Sequence, residues 1–395
     1  MKIAYLGVKR FKSLHNITHS FDDINMLFGY NNTGKSNFLR FIHAVFMKKP
    51  IYQTIGYTEE KENKIQSKTQ IQEYNSDFWD GDIIMPYLFN NDERSKNVEF
   101  EFLFKFEKNE MPHYDELVKA GYINSTPNQL IPLNLKGIII SKNKILSMVE
   151  IREVKINNKF VFDYNNQNKY FLDREKYEDI LRALNDCALF LDSDRFLINE
   201  ADGKNDSYLT SKNLKNWLFK IYLHDYNKFL SFTKFLSHLT IKNDGNKLLK
   251  DNLRSYPFEK ADIGFTKFEE QLEVMFKNPI NGRFPISDYG TGVQQILYLM
   301  AKLFETKSSI LLIEELELNL SPKYQLDVIT FLKNIVTSSA SIPKIDQVFF
   351  TTHSPYFHKK TDILSLFEVT INQSGYSQIS KAKKNRINGY FKKNY

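Results

Sequence analysis

Residues 29–37, Gly-Tyr-Asn-Asn-Thr-Gly-Lys-Ser-Asn, constrain this chain more than any other stretch. Gly29, Gly34, Lys35 and Ser36 stand at the offsets of G-x-x-x-x-G-K-[ST], a pattern in which each position has a physical task. The glycines let the backbone curl so that successive N–H groups converge on phosphate oxygens. Lys35 reaches the β- and γ-phosphates, and the Ser36 hydroxyl is a ligand for Mg²⁺. Tyr30, Asn31, Asn32 and Thr33, between the glycines, and Asn37, just after, complete the set of nucleotide-contacting positions. Asn25–Phe28 predicts a short buried strand entering the loop. Phe38–Phe46 predicts a helix leaving it, its positive dipole end under the phosphates. A glycine loop matching by chance would lack that strand and helix.

Composition narrows the class around the loop. The chain has 395 residues, enough for one large or two ordinary domains with a proper core. Aromatics make up 14%, with 33 Phe and 22 Tyr, which fits a packed globular protein and excludes a disordered one. Basic residues number 54 against 47 acidic, so the formal charge of +7 permits a nucleic-acid partner without demanding one. Cys187 is the single cysteine, which excludes an internal disulfide and a cysteine-based zinc site. Met1–Gly7 is interrupted by charge, unlike a signal peptide, and no run of about 18 apolar residues occurs. The expectation is a cytoplasmic protein with no membrane partner.

Alternation over residues 1–28 predicts a hairpin feeding the loop strand. Ile3, Tyr5 and Gly7-Val8 lead to Phe11, Ser13–Asn16 turn, and Ile17–Phe21 return. Within it, Arg10-Phe11-Lys12-Ser13 brings two basic residues towards the nucleotide. Residues 48–96 are polar and predict a surface excursion with a short helix. From 97 to 164 strands dominate. Val98–Phe106 alternates, and Gly137–Ile140, Ile145–Ile156 and Phe160–Phe162 follow across Asn-containing turns, predicting an antiparallel sheet beside the loop core. A helix over Arg174–Asn185 precedes an apolar strand at Cys187–Leu191, which ends in Asp192-Ser193-Asp194-Arg195. Between Ser211 and Leu239 the period turns helical on Leu214, Trp217, Leu218, Ile221, Tyr222, Phe229, Phe232, Phe235, Leu236 and Leu239. Aromatics at that spacing are core more often than binding surface. Lys242–Asp251 reads as a loose loop. The division expected is an N-terminal lobe over 1–199, a helical insertion over 200–258, a C-terminal lobe over 259–380 and a basic tail over 381–395.

The last third supplies what such a loop needs from elsewhere. Ser309–Ile313 is an apolar strand ending in two carboxylates, expected directly beside the loop strand. That end can place Glu314 on the Mg²⁺ shell and Glu315 on the attacking water, as general base or orienting group. The six apolar positions of the region weigh against an acidic strand end facing solvent. Gln347–Thr352 is a second buried strand, and His353 follows it where the carboxyl end of a strand meets phosphate. Upstream, Ser287-Asp288-Tyr289-Gly290-Thr291-Gly292-Val293-Gln294-Gln295 leads into an apolar helix over Ile296–Phe304. Small residues at a helix start make a second anion nest, although glycines there also serve tight packing. One chain already has a nest at 29–36, so the second predicts a sandwich in which each copy caps the other's nucleotide.

In this order the four motifs resemble an ABC-type ATPase head of the SMC, RecF and OLD group. The resemblance is carried by residues 1–45 and 280–358, and over 97–195 by strand pattern alone. It implies an α/β P-loop fold with a mixed or parallel core sheet, an antiparallel β lobe and a helical insertion. It implies ATP and Mg²⁺ as cofactors and ATP hydrolysis as the activity. Lys12 answers to the group's aromatic-basic-small element beside the nucleotide. Thr291-Gly292-Val293-Gln294, with Gly290 ahead of it, falls on the Ser-Gly-Gly-Gln part of the signature that acts on the partner copy's nucleotide. A second register gives the trans hydroxyl to Ser287, and both stay open. Leu318–Pro322 falls at the D-loop and His353 at the switch histidine on the γ-phosphate. Two departures stand out. Glu314 replaces the group's aspartate, which is compatible with slow hydrolysis, and no residue of 48–96 answers to the glutamine loop.

The resemblance also implies partners. Two ATP-bound copies would meet head to head, in a homodimer or higher homo-oligomer. The chain has no zinc-hook Cys-x-x-Cys or long coiled coil, and the stretch after His353 is too short for an OLD-type nuclease domain. A head of this kind is similar to the ATPase subunits of bacterial anti-phage systems such as Septu and PARIS, which act with a separately encoded effector, a nuclease or toxin. The alternative is a RecF-like DNA-binding repair ATPase, on the net charge and on Lys381, Lys383, Lys384, Arg386, Lys392 and Lys393. A nucleotide-binding scaffold with little hydrolysis is the third reading.

Overall fold

The computed structural model describes residues 1–46, 57–61, 64–68, 98–126, 129–142, 146–166, 169–185, 187–193, 209–211, 213–237, 263–268, 271–278, 282–337, 344–357 and 365–382. Strands β1 (Lys2–Phe11), β2 (Leu14–Ser20) and β3 (Ile24–Phe28) lead into helix α1 (Lys35–Phe46). A small hairpin, β4 (Tyr57–Lys61) and β5 (Lys64–Lys68), precedes β6 (Val98–Phe106) and the short helix α2 (Tyr114–Lys119). Next come β7 (Ile131–Lys142), β8 (Leu146–Ile156), β9 (Lys159–Asp163), β10 (Lys169–Tyr170), α3 (Arg174–Arg182) and β11 (Ala188–Leu191). Helices α4 (Leu214–His224) and α5 (Tyr226–Leu236) follow, then β12 (Ile263–Phe268), β13 (Gln271–Asn278) and β14 (Gly282–Pro285). The chain continues through α6 (Thr291–Glu305), β15 (Ile310–Ile313), α7 (Pro322–Thr337), β16 (Gln347–Thr352), β17 (Ser365–Ile371) and β18 (Ser377–Lys381).

One sheet of 13 strands organises these elements, in the order β10-β9-β8-β7-β6-β1-β2-β18-β17-β3-β16-β15-β11. From β10 to β2 it is antiparallel, and from β17 through β3, β16 and β15 to β11 it is parallel. The two halves meet where β18 pairs with β2 at Ser377 and Leu14. The antiparallel lobe is thus continuous with the core sheet. Another expectation is corrected: β16 lies between β3 and β15, so the carboxylate strand is one place removed from the loop strand. A third shift is local. The β1–β2 turn is tighter than 13–16, closing at Lys12-Ser13 with Arg10 and Lys12 at positive φ.

Side-chain alternation explains the layers. Every residue of β3, β15 and β16 is buried, as expected for parallel strands covered on both faces. Ile310 and Leu312 join a core with α1 and α3, whereas Leu311 and Ile313 join a core with α4, α5, α6 and α7. Alternate Cβ atoms point to opposite faces, so one strand serves both layers. β6 shows the lobe's version, with Val98, Phe100, Phe102, Phe104 and Phe106 buried and Lys105 exposed. The helical period over 211–239 forms α4 and α5, whose Leu218, Phe229, Phe232 and Leu236 are core. The three-stranded sheet β12–β14 and the β17–β18 hairpin carry no expectation from the sequence. The helix predicted within 48–96, Asp194-Arg195, the loop over 242–251 and the tail beyond 382 lie outside the described residues. Among the described residues, no helix is long and apolar enough to cross a membrane.

Candidate functional site

The loop between β3 and α1 is held open by its glycines. Gly29 has φ +155°, and a Cβ there would sit 2.1 Å from the Val369 carbonyl oxygen of β17. Gly34 has φ +96°, and its Cβ would fall 2.1 Å from Ser377 Oγ and 2.5 Å from Ser13 Oγ. Asn32 also takes a left-handed conformation, at φ +60°. Thr33 Oγ1 donates to the Tyr30 carbonyl at 2.9 Å. Ser377 Oγ donates to the Thr33 carbonyl at 2.6 Å and shares a hydrogen bond with Ser13 Oγ at 2.7 Å. Asn37 Nδ2 donates to that same Ser13 Oγ at 3.0 Å. Tyr30, Asn31 and Asn32 face solvent. Lys12, at φ +49° in the adjacent turn, carries its ammonium 6.0 Å from the Phe11 ring centroid.

Lys35 is the buried cation of the site. Its Nζ donates to the Gly29 carbonyl at 3.0 Å and to the Tyr30 carbonyl at 2.7 Å, which keeps the ammonium under the loop. Burial draws its pKa down to about 8, against the opposing pull of Glu315 and Glu317. A phosphate above the loop restores that lost charge stabilisation.

The acidic groups come from the segment after β15. Glu314 is 2% exposed, and its carboxylate receives Arg40 Nε at 3.0 Å and Arg40 Nη2 at 3.3 Å. Arg40 stands four residues beyond Ser36, so both lie on one face of α1, which packs across β11, β15 and β16. The Ser36 hydroxyl and the Glu314 carboxylate are hard oxygen donors that suit Mg²⁺ arriving with nucleotide phosphates. Among the described residues no cluster of three or more His, Cys, Asp or Glu could hold a metal by itself. Glu315 sits at φ +46°, and its N–H donates to Thr351 Oγ1 at 2.9 Å. Burial, seconded by the Lys35 charge, pushes the His353 imidazole down to about 4, so it is neutral near pH 7. Lys35 thus feels the charge of Glu315, and His353 that of Lys35, so the three lie in one neighbourhood.

The part that four residues play in this site went unread in the sequence. Arg40 looks like a helix-surface charge, Ser377 carries no motif, and Ser13 reads only as the small residue of Arg10-Phe11-Lys12-Ser13, with no contact to the loop assigned to it. Glu317 is the fourth. It accepts the His353 N–H at 2.5 Å, and burial raises its carboxyl pKa. Its signal was the third acid in Glu314-Glu315-Leu316-Glu317.

The second nest lies at the start of α6. Gly292 is buried, and a Cβ there would come 2.5 Å from the Asn319 carbonyl oxygen. That glycine serves a close approach between α6 and the turn before α7, where Asn319 sits at φ +56°. Ser287 Oγ donates to Glu273 Oε2 at 3.4 Å, and Lys215 pairs with Glu273 at 2.8 Å. Gln294 Nε2 donates to the Tyr289 carbonyl at 2.9 Å. Gly290 and Thr291 are exposed, α6 has no side-chain cap, and a Cβ on Gly290 would meet nothing within 4 Å. No hydrogen bond among the described residues joins Ser287, Gly290, Thr291 or Gln294 to the loop at 29–37.

Comparison with known proteins gives the following likenesses. Among solved structures, an SMC head domain from Thermotoga maritima is 16% identical, with 97% of this chain and 100% of that chain covered at a TM-score of 0.43. An SMC head bound to the C-terminal winged-helix domain of ScpA is 14% identical, covering 98% and 99% at a TM-score of 0.48. A head with an extended coiled coil, bound to the C-terminal domain of ScpA derived from Pyrococcus furiosus, is 11% identical, covering 99% and 98% at 0.47. No curated protein matches. The model of the AAA ATPase domain matches residues 1–357, from β1 to just past His353, and the chain belongs to that family.

Proposed function

We propose that this protein binds and hydrolyses ATP, and that two ATP-bound copies close head to head, each α6 start capping the other's loop. The observation that carries the proposal is the exposed, uncapped start of α6 at Gly290–Thr291, in a chain whose own phosphate loop already has its helix. Val293 N–H is taken up by the Gly290 carbonyl at 2.9 Å, and the N–H groups ahead of it at the helix start favour an anion. Thr291 stands at the helix tip and Ser287 is turned to Glu273, which favours Thr291 as the trans hydroxyl. Within a copy, Lys35 and the loop N–H groups bind the phosphates, neutral His353 hydrogen-bonds the γ-phosphate, and Glu315 orients or deprotonates the attacking water. Ser36 and Glu314 are the groups for Mg²⁺, which supplies charge neutralisation of the phosphates when bound with the nucleotide. Arg40 competes for Glu314, which suits slow turnover.

Slow turnover suits a switch more than a motor. The ATP-held dimer would control a separately encoded effector in the cytoplasm, a nuclease or toxin of an anti-phage system; this step rests on the family resemblance alone. ATP turnover and oligomeric state of the wild type and of Glu315→Gln test the core of the proposal. Turnover should fall by about 100-fold or more while an ATP-bound dimer accumulates. A mutant that turns over normally, or that traps no dimer, would refute it.

A further inference from the structure

We infer that Glu317 is the positioning residue that fixes the switch histidine against the general base, a role resting on the ATPase reading above. Three hydrogen bonds lace the segment after β15 to the end of β16. Glu315 N–H donates to Thr351 Oγ1 at 2.9 Å, Leu316 N–H to the Thr351 carbonyl at 3.2 Å, and His353 N–H to Glu317 Oε1 at 2.5 Å. The first two are made by Thr351 and could form with any residue at 317. The third needs a side-chain acceptor at that position, and it is the one that reaches the backbone of His353. Glu315 approaches the water from one strand end and His353 the γ-phosphate from the next. Their separation is therefore set by this lacing and not by either strand alone.

The chemistry of the tether is costly for a merely structural one. Glu317 Oε2 is shut off from solvent, and against the burial that raises its pKa the carboxyl has the His353 N–H, its own backbone N–H and the Thr352 hydroxyl. Burying a carboxylate is costly, a cost that an uncharged acceptor would avoid. The groups that face this carboxyl explain its retention. Lys35 feels Glu317 and Glu315 together, and Glu315 and Glu317 repel each other. Glu317 is thereby a second negative neighbour holding the Lys35 charge while it also anchors His353. Both effects serve the transition state, where Lys35 and His353 act on the same γ-phosphate, more than the initial capture of nucleotide by the loop.

The test is single-turnover ATP hydrolysis and fluorescent-nucleotide binding on the full chain, for wild type, Glu317→Ala and Glu317→Gln. The tether predicts that Ala lowers the hydrolysis rate about 30-fold or more while the nucleotide Kd changes by less than about threefold. Gln keeps an oxygen for His353 N–H and should recover most of that rate. Circular dichroism and thermal melts of both variants report whether the fold is kept, and Gln, the closest isostere, provides the reading if Ala melts early. An unchanged rate in Ala, a Kd loss as large as the rate loss, or Gln as poor as Ala would each overturn the inference. Absence of hydrolysis in the wild type would instead defeat the ATPase reading, so the two failures are distinct.

Discussion

The pairing of Arg40 with Glu314 makes a directional prediction. Glu314 is almost fully buried, whereas the Arg40 side chain is 36% exposed and can turn to water. The two residues should therefore respond unequally to removal of their partner. Arg40→Met removes the guanidinium that pairs with a buried carboxylate; breaking a buried pair in this way costs about 3–5 kcal/mol. The exposure of Arg40 means solvent already screens part of the attraction, so the expected loss is about 2–3 kcal/mol. Glu314→Gln leaves an arginine that can rehydrate and should cost only about 1 kcal/mol. The double variant buries no lone charge and should lie close to Glu314→Gln. The coupling between the two sites is then about 2 kcal/mol, measurable by urea unfolding of the four proteins as a double-mutant cycle. Fluorescent-nucleotide binding with and without Mg²⁺ is the second assay, because freeing Glu314 from Arg40 should raise the Mg²⁺ dependence of affinity. If Arg40→Met loses less than about 0.5 kcal/mol and the cycle shows no coupling, the pair is not holding the carboxylate and the argument fails.

Three further outcomes follow from the same geometry. Gly34→Ala places a methyl against Ser377 and Ser13 at a left-handed φ, and should weaken nucleotide binding by about 100-fold in a fluorescence titration. Gly292→Ala pushes a methyl against the Asn319 carbonyl, so α6 and the turn before α7 must part. Sedimentation should show the ATP-dependent dimer lost, with nucleotide Kd within about threefold of wild type. His43 stacks on Phe190 with ring centroids 5.0 Å apart, its Nδ1 is shut off from solvent without a partner among the described residues, and burial lowers its pKa to about 4. The unfolded chain binds that proton near the ordinary histidine pKa and the folded chain does not, so stability falls as pH drops through that window. The loss between pH 7.5 and 5.0 is about 2 kcal/mol in urea unfolding, and His43→Phe should flatten it.

What the sequence made legible was whatever depends on local period or fixed spacing. The loop at 29–37 was readable because phosphate chemistry fixes each offset, and β15 and β16 because strands covered on both faces are apolar throughout. Strand order was not readable from those patterns. A buried strand looks the same whether it lies next to β3 or one place further out, so the insertion of β16 between β3 and β15 left no local trace. Arg40 and Glu317 were hidden for a related reason. Each meets its partner across a long stretch of sequence, Arg40 with Glu314 and Glu317 with His353, and no periodicity encodes such a meeting. Gly292 was ambiguous between anion nest and tight packing, and only the nearby Asn319 carbonyl identifies the packing role.

The seam between β2 and β18 gives the phosphate loop its setting. The antiparallel lobe and the parallel core share one sheet, yet at that seam the strand pairing is the single match of Ser377 with Leu14. Ser377 N–H donates to the Ser13 carbonyl at 2.9 Å, and its hydroxyl turns to Ser13 and Thr33. Side chains from both halves therefore converge on Gly34, the residue that leaves no room for a Cβ. Besides these hydroxyl contacts the seam has the hydrogen bond between His19 Nε2 and the Ile379 carbonyl at 2.6 Å, and the hydroxyl contacts are the ones that reach the loop. A group bound in the loop would therefore lie next to contacts from both halves of the sheet. The loop is thus placed where side chains from both halves of the sheet meet it.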